Sequence, residues 1–298
     1  MIITERTCIR RDQRGSALIV TLLLVTVLIS LVVNFAYEVH IDSSSFSNWS
    51  NAQRASFIAR SGQTLASQYL DEIEEYTYTN ERKIELPLNQ SLGANSELSV
   101  VIEDENSKLN INSIINQNGS TDEAALSYLK KLLVYLKINP DLALLLADWI
   151  DPDSEPRMPY SEDIAKDAFL WSADELKLVE GIDPDTYEKI IPYLTVSEKW
   201  IWKINLNTAE IPVLVSLHED MTETLAKRIV EYREDVPFEA KSHITRVSGM
   251  NQIGITLTDV SIKSTDFRIT STATVDEITR VIESIVDTSK TVRFWREG

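Results

Sequence analysis

From Ala17 to Val33 the chain carries no charged side chain, and its only polar ones are Thr21, Thr26 and Ser30. About 20 apolar residues in a helix cover a hydrocarbon core of roughly 30 Å, and the seventeen here lie at the short end of the spanning range. The flanks give a direction. Arg6, Arg10, Arg11 and Arg14 precede the run, while Glu38 and Asp42 lie beyond it. Basic residues stay on the cytoplasmic side, so the N-terminus is expected there and everything after Tyr37 outside the inner membrane. A secretory signal peptide would have a shorter apolar core and an A-x-A-like site behind it, and none comes after Val33. A buried core helix would leave the four arginines unexplained. A retained single-pass anchor accounts for both length and flanks.

The charged leader ends in Arg14-Gly15, and the apolar run begins immediately after it. This resembles the cleavage site of type IV prepilin-like proteins. The resemblance implies a prepilin peptidase that cuts after Gly15, and a mature chain that begins at Ser16, is methylated there and keeps its apolar helix. Most such proteins carry a glutamate at the fifth mature position, where this chain has Val20. Its absence is characteristic of the general secretion pathway protein K family, the large minor pseudopilin of type II secretion, which the chain resembles. Within a filament that carboxylate pairs with the terminal ammonium of a neighbour, a buried contact costly to leave half made. A subunit with nothing stacked above it has no use for the acid, so Val20 points to a filament tip.

Composition fits this placement. The 298 residues are 43% hydrophobic and 25% charged, enough for more than one folded unit outside the membrane. Loss of residues 1–15 removes four arginines and two acids, taking the formal charge from −17 to −19. So acidic a chain is not drawn to phosphate backbones or anionic lipid. The single cysteine, Cys8, falls in the leader, so the mature chain has no disulfide.

Beyond the anchor, residues 47–76 contain no proline, and Ala52, Ala55, Ala59, Gly62, Ala66, Tyr69 and Ile73 recur at helical spacing. One continuous helix packing this stripe on a sheet is predicted. The resemblance implies that its lower half also packs against other helices in a pilus-like filament. Residues 83–88 and 97–105 then alternate as strands. The second leads into Asn106-Ser107-Lys108-Leu109-Asn110-Ile111-Asn112, a phrase that closely resembles a protein K signature. Its asparagines suit turn geometry and a structural role.

From Ser120 the pattern turns helical, over 122–136 and 141–150, with Pro140 as a helix start. The stretch Asp148-Trp149-Ile150-Asp151-Pro152-Asp153-Ser154-Glu155-Pro156, with Glu162, Asp163 and Asp167 after it, is again like protein K. Where that family has a Gly-Ala-Glu-like turn, this chain has Pro159-Tyr160-Ser161-Glu162-Asp163. The family binds calcium through clustered carboxylates. The resemblance therefore makes Asp151, Asp153, Glu155, Glu162 and Asp163 candidate calcium ligands. Calcium takes six to eight oxygens, but the spacing does not match an EF-hand loop. On the residues alone, a helix cap leading into a solvated acidic turn stands beside the metal reading.

Residues 204–250 resemble both the second helical repeat of protein K and the helix-hairpin-helix domain of membrane-anchored competence DNA receptors. A DNA-binding hairpin presents backbone amides from a glycine-rich turn to phosphate, with basic residues nearby. Here the turn reads Leu217-His218-Glu219-Asp220-Met221, with no glycine and two acids. Across 204–250 there are five basic and eight acidic residues. No nucleic-acid partner is expected. After that, residues 256–264, 266–275, 278–287 and 291–295 read as strands. Phe267, Ile269, Val281, Ile285, Val292 and Phe294 are candidates for the face under the long helix.

The expected fold is α+β, a pilin-like N-terminal helix on an antiparallel sheet with a large inserted helical domain of the SAM-like or helix-hairpin-helix-like kind. Its parts are a leader (1–15), a transmembrane helix (16–38), and a periplasmic helix half with the first strands (39–105). The inserted domain comes next (106–253, in two repeats of about 106–200 and 201–253), then the C-terminal strands (254–298). His40, His218 and His243 are scattered, and no catalytic motif is present, so a non-enzyme is expected. The resemblance implies assembly with pseudopilins of the I and J families and with the major pseudopilin. A minor pilin of a type IV pilus is the second reading and a DNA receptor the third.

Overall fold

The computed structural model describes residues 13–86, 93, 95–153, 155–159, 161–199 and 202–298. Most of the leader, and the end of the first predicted strand at Pro87-Leu88, lie outside the described residues. Helix α1 (Gln13–Glu75) contains no proline and contributes to two compact units, Met1–Arg54 and Ala55–Gly298. In the first unit Thr21 Oγ1 donates to the Leu18 carbonyl at 2.9 Å, and Thr26 Oγ1 to the Leu23 carbonyl at 2.8 Å. Both hydroxyls are thus satisfied inside the helix, as a hydrocarbon environment demands.

The remaining elements, in order, are β1 (Lys83–Glu85), β2 (Ser96–Asp104), β3 (Leu109–Asn110), α2 (Glu123–Tyr135), α3 (Leu142–Ile150), α4 (Pro184–Ile190), β4 (Leu194–Thr195) and β5 (Ile204–Asn205). After them come α5 (Ile211–Ser216), α6 (Glu223–Asp235), β6 (Val260–Ser261), β7 (Asp266–Val275), β8 (Ile278–Asp287) and β9 (Val292–Glu297). Strands β1-β2-β7-β8-β9 form an antiparallel sheet in that order. The chain leaves this sheet after β2 and returns at β7, so the helical elements are an insertion between two neighbouring strands.

The C-terminal part of α1 lies on one face of the sheet. Ala55 is buried, and Ala59, Ala66, Leu70 and Ile73 are buried against Val100 and Ile102 of β2, Phe267, Ile269 and Ala273 of β7, and Ile282 and Val286 of β8. At Gly62 the helix comes closest. A Cβ there would lie 2.3 Å from Ser271 Oγ and 2.8 Å from Val100 Cγ2, so no side chain fits without a shift. The adjacent Gln63 sends its amide to the carbonyls of Ile269 (3.0 Å) and Ile282 (2.8 Å), and accepts from Ser284 Oγ (2.7 Å). A buried amide is worth keeping only when its donors and acceptors are matched.

Two expectations are corrected. In β8 the helix-facing residues are Ile282, Ser284 and Val286, so Val281 and Ile285 point to the opposite face. Val292 is exposed, and Phe294 pairs with Ile285 on that opposite face beside Leu194 and Val196. The residues Val281-Ile282 and Ile285-Val286 are apolar at both strand parities, so alternation alone does not choose a face. The Gln63–Ser284 bond fits the observed choice. Residues 256–264, read as a sheet strand, yield only β6, which pairs in parallel with β5 inside the helical insertion.

We expect Gly62→Val to destabilise the fold by about 1–3 kcal/mol through overpacking. Denaturation of the detergent-solubilised chain measures this, and Ser271→Gly, which removes the nearest obstructing atom, should restore part of the loss.

Candidate functional site: anchor, junction and acidic loop

The residues that carry the expected function fall in three places. On the anchor, Gly15 lies in the first turns of α1, and Ser16 and Val20 are exposed helical residues. Within α1, the stretch Ser16–Ile73 is long and apolar enough to cross a membrane. It fits a membrane anchor.

The second place is where the insertion leaves and rejoins the sheet. Asp104 is fully buried at the end of β2. One carboxylate oxygen accepts from the Asn106 amide at 2.8 Å, and the other from Asn205 Nδ2 at 3.2 Å and from the hydroxyls of Thr208 and Ser264. Burial without a cationic partner pushes its carboxyl up to about 6. The next residue, Glu105, is equally buried but accepts from Lys108 Nζ (2.9 Å), from Arg268 Nε (2.8 Å) and Nη2 (3.1 Å), and from the Thr195 hydroxyl. Burial opposes its ionisation, yet the two cations prevail and hold it at about 2. Asn106 completes the junction, accepting from the amides of Thr265 (2.7 Å) and Asp266 (3.0 Å) and donating to the Lys203 carbonyl (3.2 Å).

From this junction the insertion runs as two copies of one device. Lys108-Leu109-Asn110-Ile111-Asn112 recurs as Lys203-Ile204-Asn205-Leu206-Asn207, a signal visible in the sequence that asparagine turn propensity alone does not bring out. In the first copy β3 pairs in parallel with β4, Asn110 bonds both the amide and the carbonyl of Ser197, and Asn112 does the same for Leu170. In the second, β5 pairs with β6, Asn205 donates to Ser264 Oγ, and Asn207 bonds both backbone groups of Phe238. The first asparagine of each pair also caps the amide two residues on. The second copy therefore extends to Ser264.

The hairpin turn of the second copy is fastened from the first. Lys131 Nζ on α2 donates to the carbonyls of His218, Glu219 and Met221. Four of the five basic residues of 204–250 are engaged within the chain: Lys227 with Glu223, Arg228 with the Ser248 carbonyl, Arg233 with the Leu206 carbonyl and Lys241 with the Leu257 carbonyl.

The third place is the acidic loop after α3. Asp151 is buried, Asp153, Glu155 and Asp163 are exposed, and the Glu162 side chain lies outside the described ones. Asp153 accepts from the Glu155 amide at 2.8 Å, a local turn. Asp148 and Asp151, both buried, converge instead on Arg157, whose Nη1 lies 2.6 Å from Asp148 Oδ1 and also bonds Asp151 Oδ2. Burial pushes the Asp151 carboxyl upward. Among the described residues no three His, Cys, Asp or Glu side chains are placed to hold a metal. The described acids of this loop do not form a fitted calcium site, because an arginine already occupies the point on which its two buried carboxylates close.

A helix long enough to span a bilayer, continued by an Ala-rich stripe over an antiparallel sheet, fits a pilin-like subunit with a membrane anchor. Residues 107–199 and 204–263 match two successive segments described as type II secretion system (T2SS), protein K. The chain belongs to the type II secretion system protein K family, the minor pseudopilins of that system. It is 24% identical to type II secretion system protein K of Pseudomonas aeruginosa over 94% of this chain and 90% of that one. It is 26% identical to the Pectobacterium carotovorum protein over 75% and 76% of the two chains. In fold it resembles a chain of the crystal structure of the GspK-GspI-GspJ complex from the enterotoxigenic Escherichia coli type 2 secretion system. That likeness has a TM-score of 0.63 and 16% identity, and covers 86% of this chain and 99% of the other.

The junction acids should give opposite pH slopes. Asp104, raised in the fold, favours folding fully below about pH 4, and that contribution is lost as pH rises through 6. Glu105, lowered in the fold, contributes above about pH 4.5 and loses its contribution as pH falls through 2. Between pH 4 and 8 the wild type should therefore lose on the order of 3 kcal/mol relative to Asp104→Asn. Glu105→Gln should be weaker than wild type by about 3 kcal/mol at neutral pH, since it leaves Arg268 and Lys108 with only their partly buried second partners, Glu283 and Glu103. Its deficit should shrink below pH 4.5. Denaturation midpoints across that range decide both.

Proposed function

We propose that this minor pseudopilin is the tip subunit of the periplasmic pseudopilus, inserted with its N-terminus in the cytoplasm, cut after Gly15 by the prepilin peptidase and methylated on Ser16. The observation that carries this reading is Val20 at the fifth mature position. A subunit within a stack needs a carboxylate there for its neighbour's terminal ammonium, and a subunit at the end does not. The helical insertion between β2 and β7 supports it, because a domain of that bulk is accommodated at a filament's end more readily than along its shaft. The partners we assign are pseudopilins of the I and J families, by analogy with the enterotoxigenic Escherichia coli assembly, and the major pseudopilin below them. The insertion itself, two asparagine-pinned helical repeats, is SAM-like or helix-hairpin-helix-like in our reading. Its hairpin carbonyls are held by Lys131, which supports a structural use of the scaffold over a phosphate-binding one. No reaction is assigned to it.

Two measurements test this proposal. Mass spectrometry of the chain from cells with active prepilin peptidase should find a methylated Ser16 at the N-terminus, and a chain still starting at Met1 would refute the processing. Gold labelling of isolated pseudopili should mark fibre ends only. Label repeated along the shaft would remove the tip assignment.

A further inference from the structure

We propose that Arg157 is the resident cation of the loop after α3, holding by its guanidinium the place around which that loop would otherwise order a divalent metal. The geometry has the form of a small coordination site with an arginine at its centre. Nη1 bridges Asp148 Oδ1 at 2.6 Å and Asp151 Oδ2, and Nη2 donates to Thr121 Oγ1 at 2.8 Å. Both carboxylates are fully buried. The second oxygen of Asp148 accepts from the amides of Arg157 (2.9 Å) and Met158 (3.2 Å) and from the Ser161 hydroxyl, so the loop folds back onto the carboxylate that its own arginine neutralises. The second oxygen of Asp151 is buried and has no hydrogen-bond partner.

Charge and donor count explain why the arginine decides the ligand. Two buried carboxylates face one guanidinium, so the site is compensated by half. A metal beside the guanidinium would meet a like charge at contact distance, which a buried site does not tolerate. Without the guanidinium, Asp148 Oδ1, both oxygens of Asp151 and Thr121 Oγ1 would face one another unpaired. Four hard oxygens that water can supplement to six or more suit calcium. The buried carboxylates of the wild-type loop are therefore compensated without metal, and a metal requirement is one substitution away.

The test is thermal unfolding of the full detergent-solubilised chain, in chelator and in millimolar calcium. The wild-type midpoint should be the same in both. Arg157→Ala should melt several degrees lower in chelator and recover most of that loss in calcium, because a ligand bound only by the folded state stabilises it. Arg157→Lys, which keeps a cation at the site, should hold without calcium. In Arg157→Ala with Asp151→Asn the recovery should vanish. Should Arg157→Ala fail to fold in chelator, refolding it with and without calcium gives the same answer. Stabilisation of the wild type by calcium would overturn the proposal, as would an Arg157→Ala protein that calcium leaves unchanged.

Discussion

Three consecutive residues, Asp104-Glu105-Asn106, hold the insertion onto the sheet. The chain leaves β2 there, and each of the three reaches a different part of the downstream chain. Asp104 binds the second repeat through Asn205 and Thr208 and the exit through Ser264. Glu105 binds the first repeat through Thr195 and the sheet through Arg268. Asn106 takes the amides at which the chain re-enters β7. A polar network this buried is stable only when every member is matched. The matching is unequal: Glu105 has two cations, while Asp104 has hydroxyls and amides alone. That inequality sets their ionisation in opposite directions although they are neighbours in the chain.

One helix serves two solvents in succession. Its first part must be apolar on all sides, since lipid would surround it, and its threonines satisfy themselves on their own backbone. Its last turns need one face only, and that face is rich in Ala and Gly because the sheet lies so near. Leucine in place of Gly62 would hold the helix away from β7, and the bonds from Gln63 to Ile269 and Ile282 would not reach. Close approach and the buried glutamine depend on each other.

Much of this is legible in the sequence. The anchor, the long helix, the strands on either side of the helical block and the asparagine phrases all come from local periodicity and turn chemistry. Local pattern misses partnership. Alternation misplaces the face of β8 because Val281-Ile282 and Ile285-Val286 satisfy either parity, and the choice is tied to Gln63, 221 residues from Ser284. Residues 256–264 look like sheet because they are β-prone, but only two of them pair, and they pair within the insertion. In the acidic loop the exposed Asp153 and Glu155 are the conspicuous acids. The buried Asp148, earlier on α3, and Arg157 organise it. Composition weights every acid alike, whereas burial singles out two.

The same distinction bears on what so acidic a protein can touch. Its buried acids are compensated from within or hydrogen-bonded: Glu105 by Arg268, Asp148 and Asp151 by Arg157, Asp266 by Lys199, Asp287 by Arg293. Lys131, Arg228, Arg233 and Lys241 are likewise turned to backbone carbonyls. These cations are consumed by the fold, and a surplus of carboxylates is left to the surface. The turn between α5 and α6 carries Glu219 and Asp220 where a phosphate-binding hairpin would carry glycine, so it presents negative charge. A surface with that surplus repels anionic lipid and nucleic acid alike, whereas the apolar first part of α1 is suited to a membrane.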